Sequence, residues 1–180
     1  MDLSSLLQLF LTEGPKWVRA QRAAHRSAGR PLSFGESSAL APFFEPNLLA
    51  KVRLTNVPVI PNPPFYAPLL AQGIPIPLDF SQTSGITFDD TVLLSDAAPV
   101  EPSAFLPLIF HELVHVVQFE VAGIEGFVSR YVIGWAENGF EYARIPFEAQ
   151  AYALDARFNA DPAAPFSVRA EVATLIGPMS

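Results

Sequence analysis

The spacing of apolar and polar residues divides the chain near Pro99. Upstream of it, residues 3–12 and 16–28 carry apolar side chains at helical intervals and are separated by Gly14-Pro15, a pair that stops one helix and opens the next. Two short helices are predicted there, and a third over residues 48–54. Between Val57 and Pro77 stand Pro58, Pro61, Pro63, Pro64, Pro68, Pro75 and Pro77. Each removes a backbone donor, so an extended, irregular segment is expected. Residues 86–94 are β-branched and aromatic between Gly85 and Ser95, and with residues 78–80 they predict a hairpin or small sheet. Downstream the period is helical, over residues 103–121, 125–137, 146–159 and 167–175.

Composition narrows the class. A chain of 180 residues suffices for one hydrophobic core, and half its residues are apolar, fifteen of them Phe, which excludes a disordered chain. Uninterrupted apolar runs fall short of the roughly 18 residues needed to cross a bilayer, and Asp2 stands where a secretion signal needs basic charge. A cytoplasmic protein with no membrane partner is expected. The net charge of −7 argues against a nucleic-acid partner. Lys16, Arg19, Arg22, Arg26 and Arg30 form a basic stretch that reads as a solvated helix face or as partners for the protein's own acidic groups, with Trp17 beside it as a packing anchor. With no cysteine, any metal must be held by His, Asp or Glu.

The chemistry lies in FHELVHVVQ, residues 110–118, which contains HExxH as His111, Glu112 and His115. On a helix, positions four apart share a face, so both imidazoles reach one ion. Glu112 stands about 100° round from His111, where it serves as general base on a metal-activated water without being a ligand. Phe105, Ile109, Leu113, Val116 and Val117 give this helix an apolar surface to bury.

Catalytic zinc takes three protein ligands and keeps one position open. Gln118 stands where a third histidine motif would need glycine, and His25, the remaining histidine, lies far upstream, so a carboxylate is expected. Glu120 points away on the same helix, while Glu125, Glu137 and Glu141 fall in turning or connecting segments. Glu148 opens a helix after Pro146 and sits at the edge of a stripe made by Phe147, Ala151, Leu154 and Phe158. It is the expected third ligand, with a helix-capping role as its competing explanation and Asp155 as the next candidate. Tyr131, Tyr142 and Arg144 are candidates for stabilising a developing oxyanion.

FHELVHVVQ, the preceding GITFDDTVLL and the downstream IPFEAQAY together resemble the gluzincin zinc metallopeptidases, in particular minimal bacterial ones, over residues 85–158. The resemblance implies an α+β, mainly helical zincin-like fold with a small sheet packed on the HExxH helix, a glutamate helix behind it, and an edge strand within residues 86–94 that binds substrate in extended form. Tyr152 replaces the Asp that often follows the ligand glutamate by four, and Asp155 is the candidate substitute. The expectation is a single domain over residues 1–180, its catalytic core at 85–160 and its helical, proline-rich part at 1–80. It would hold Zn2+ and hydrolyse peptide or protein substrates. The competing expectations are a latent or silent zincin-like interaction module, with residues 57–77 as a covering flap, and a helical scaffold carrying the motif by accident.

Overall fold

The computed structural model describes residues 2–74, 76 and 78–177. In chain order the elements are α1 (Leu3–His25), α2 (Phe34–Leu40), α3 (Pro46–Lys51), β1 (Arg53–Asn56), α4 (Tyr66–Ala71), β2 (Gly85–Phe88), β3 (Thr91–Leu94), α5 (Pro102–Glu137), α6 (Pro146–Ala160) and α7 (Val168–Ile176). The class is α+β, mainly helical with one three-stranded sheet in the order β1-β3-β2. The β2–β3 pair is the expected hairpin, in register from Gly85↔Leu94 to Phe88↔Thr91. Its tight turn places Asp89 at φ 60.

Three expectations for the first half of the chain are corrected. Gly14-Pro15 does not divide two helices, because α1 runs through it. An internal proline costs roughly 3 kcal/mol, whereas burying Phe10, Trp17 and Val18 contributes about 1.5–3 kcal/mol each. Gly14 also lies so close to α5 that a Cβ there would meet Val128 at 2.8 Å, so the pair marks a close helix crossing. The helix expected over 48–54 ends at Lys51, and Arg53–Asn56 instead form β1, parallel to β3. Four residues are too few to show a period in sequence, and β1 is fixed by its partner. Residues 78–80 are not a strand: Leu78 packs into the core and Phe80 opens a 3-10 turn. The proline-rich segment is irregular apart from α4; its Pro75 and Pro77 lie outside the described residues.

The two helices expected over 103–121 and 125–137 are both present, joined end to end in α5 across Gly123, whose φ of 70° and ψ of 167° break the helical path. Every residue from Ile109 to Phe119 is buried, so the motif helix is the core of the fold. By length and composition α5 could cross a membrane, and 61% of its most apolar window is buried inside the protein, as in a core helix. Beyond the break, Phe127 folds back to stack on Phe119 at 3.7 Å and packs on Phe147 of α6. Phe158 of α6 stacks on Phe110 at 4.4 Å, so aromatic contacts bracket Glu148 from both ends of its helix. At Gly134 a Cβ would stand 2.6 Å from the Pro146 ring, and its absence lets the start of α6 approach α5.

The basic stretch over residues 16–30 is paired with the protein's own carboxylates: Lys16 with Glu13, Arg19 with Glu125, Arg22 and Arg26 with the hairpin turn, and Arg30 with Glu36. Asp90 takes both Arg22, at 2.7 Å, and Arg26, at 2.8 Å, which ties α1 and the 3-10 turn after it to the sheet. Trp17 packs edge-on to Phe88 at 4.9 Å.

Candidate metal centre

His111 and His115 project from one face of α5, and Glu148 reaches them from the first turn of α6. Their ligating atoms form a small triangle: Nε2 to Nε2 is 3.2 Å, and Glu148 Oε2 lies 3.4 Å from His111 Nε2 and 3.5 Å from His115 Nε2. Two donors each about 2.0–2.1 Å from one ion at the tetrahedral angle stand about 3.3–3.4 Å apart, so the three sides match three corners of a zinc tetrahedron. All three residues are at most 8% exposed, and Glu148 Oε2 is a buried oxygen without a hydrogen-bond partner among the described residues. A buried carboxylate oxygen facing two imidazole nitrogens requires a cation or a proton between them. The donor set, two nitrogens and one oxygen, suits zinc.

Glu148, Glu112 and His115 are each held through a second atom. Tyr131 donates its hydroxyl hydrogen to Glu148 Oε1 at 2.8 Å, which leaves Oε2 for the triangle. Thr87 of β2 donates to Glu112 Oε2 at 2.7 Å. Gly85 lies against the other Glu112 oxygen, so closely that a Cβ would come within 2.7 Å of it. The hairpin therefore sets the position of the candidate base. His115 Nδ1 faces Gln118 Oε1 at 2.8 Å.

Electrostatics follow from burial and from these neighbours. Burial raises the Glu112 carboxyl above its usual value, only partly opposed by His115, His111 and the Thr87 hydrogen bond. For Glu148 burial acts in the same direction, but the imidazoles of His115 and His111 outweigh it and hold the carboxyl well below the usual range. Burial disfavours charge on His115, and the Glu148 carboxylate overcomes it, raising the imidazole to about 9. Burial and the Glu148 charge both push the Tyr131 and Tyr142 hydroxyls upward, so each remains a neutral donor.

Glu112, His115 and Glu148 form one wall of a cavity of about 100 Å³ whose other walls are largely apolar, including Trp17, Phe80, Phe88 and Val132. Tyr131 and Tyr142 also line it. No known protein family, curated protein or solved structure matches this chain.

Of the residues expected at the site, His111, Glu112, His115, Glu148, Tyr131 and Tyr142 come together, and Arg144 does not. Arg144 stands on the surface, two-thirds exposed and paired with Glu141 at 2.9 Å, because the 3-10 turn at Tyr142–Arg144 turns it outward while Tyr142 faces in. His25 lies away from the centre, its carbonyl accepting from Thr55. Asp155 is half-buried and accepts from Asn159 at 2.8 Å, while the Tyr152 ring packs on His111 with centroids 4.7 Å apart. Sequence reasoning missed Thr87, Gln118 and Gln150. Gln118 did leave a signal, an amide three residues after His115 inside an otherwise apolar run.

Proposed function

We propose that the protein is a zinc-dependent peptidase that uses Glu112 as general base. The observation that carries the reading is the His111, His115 and Glu148 triangle, with sides of 3.2–3.5 Å and an unpartnered carboxylate oxygen, beside a separately held Glu112. A bound zinc would act as Lewis acid and lower the pKa of a water to about 7. Glu112 takes a proton from the attacking water and returns it to the departing amine, a role suited to a carboxylate whose proton affinity burial has raised. Tyr142 is the better oxyanion donor, since Tyr131 spends its hydrogen on Glu148 and Arg144 faces solvent. β2 is an edge strand next to Glu112, where an extended peptide adds by backbone hydrogen bonds. The largely apolar walls of the cavity favour an apolar side chain beside the cleaved bond.

A latent form is the second reading, and one observation favours it. Pro63, Phe65, Tyr66 and Phe80 of the proline-rich segment and its sequel wall the same cavity, and the ligands are nearly inaccessible.

The test is cleavage of unfolded protein and of leucine-containing peptides by zinc-loaded protein, with Glu112→Gln alongside. The variant is expected to keep its zinc and lose activity by at least about a thousandfold. Cleavage at the unaltered rate would remove Glu112 from the role of base.

A further inference from the structure

We infer that Gln118 and Gln150 form a two-amide relay that fixes which nitrogen of His115 carries the proton, and so directs the Nε2 lone pair of that ring at the metal. The inference rests on the metal-centre reading for its purpose, but its geometry stands apart from it.

The relay begins at a backbone carbonyl on α7. Glu171 O accepts from Gln150 Nε2 at 3.0 Å, and a carbonyl oxygen can only accept. Gln150 is thereby oriented with Oε1 inward, where it accepts from Gln118 Nε2 at 3.0 Å. Phe147 O, the carbonyl next to Glu148 on α6, accepts from the same Gln118 nitrogen at 3.1 Å. Two carbonyls on different helices thus dictate the same orientation of Gln118, which is wholly buried. Reversing either amide would set oxygen against oxygen and leave buried donors unpaired.

With its amide so held, Gln118 presents Oε1 to His115 Nδ1 at 2.8 Å. That oxygen can only accept, so Nδ1 carries a hydrogen in every protonation state of the ring. When the ring is neutral, Nε2 is bare, and it is Nε2 that faces His111 and Glu148. The relay fixes tautomer and ring angle without adding a charge to the centre, and it ties His115 to the backbone that carries Glu148. Gln118 and Gln150 are positioning residues: they act on the ligand and do not reach the metal.

The test measures zinc affinity by chelator competition in the full chain, together with long-range proton–nitrogen NMR spectra of the histidine rings. Gln118→Leu should weaken zinc binding about 10–100-fold. Gln150→Met, one step further out, should show a smaller loss in the same direction. In the unaltered protein the His115 proton should be on Nδ1, with zinc on Nε2. Unchanged zinc affinity in a folded Gln118→Leu protein, or zinc on Nδ1, would overturn the relay. If that variant does not fold, Gln150→Met and the spectrum of the unaltered protein decide. Should the protein bind no zinc, the metal-centre reading fails alone; in the zinc-free spectrum of the neutral ring a bare Nδ1 would then overturn the relay, and a protonated Nδ1 with a bare Nε2 would support it.

Discussion

At the residue scale, Glu148, Glu112 and His115 are each bound at one atom so that another is left for the site. Glu148 gives Oε1 to Tyr131 and keeps Oε2 for the triangle, and Glu112 gives Oε2 to Thr87. Thr87→Val keeps the shape of the side chain and removes that hydrogen bond. Bonds to charged groups contribute about 1.5–3 kcal/mol, so kcat should fall roughly 10–100-fold with zinc content unchanged. Steady-state kinetics with metal analysis on the same sample checks this, and a wild-type kcat would show that Thr87 does not position the base. His111, Glu112, His115 and Glu148 were all legible in the sequence, because helix geometry stacks residues four apart and a proline-started helix offers its first-turn carboxylate. Thr87 was not legible: its partner lies 25 residues away, and only the register of β2 brings them together.

At the element scale, the site depends on how closely α6 approaches the second half of α5, which carries Tyr131. Gly134 sets that approach. Gly134→Ala, harmless to an isolated helix, should press on Pro146 and displace Glu148. The expected cost is about 1–3 kcal/mol in stability, with weaker zinc binding, measured by denaturant unfolding and by chelator competition. Unfolding at the unaltered midpoint with full zinc affinity would show that the approach is not critical. The helices from residue 103 onward were legible because they are long and periodic, including the break that proves to be Gly123. β1 was hidden by its length, and the continuity of α1 through Pro15 was hidden because packing against α5 overrides the local signal.

At the scale of the whole molecule, the N-terminal half closes the cavity that the C-terminal half opens beside the candidate metal centre. The proline-rich loop is pinned at its base, where Asn62 bonds Asp79 at 2.7 Å and Phe80 N at 2.8 Å. If this loop keeps the enzyme latent, limited proteolysis within residues 57–77 should raise the activity of zinc-loaded protein severalfold, as measured by peptide cleavage before and after nicking. Nicking without gain would dismiss latency and leave the peptidase reading in place. The most direct measurement of the central claim is the zinc-edge X-ray absorption spectrum of protein carrying one equivalent of zinc, with Glu148→Ala beside it. One zinc per chain is expected, with two imidazole nitrogens at about 2.0–2.1 Å and a carboxylate oxygen at about 2.0–2.2 Å, and with affinity falling sharply in the variant. Zinc bound equally well, in the same coordination, after loss of Glu148 would contradict the assignment, as would a folded protein that binds none.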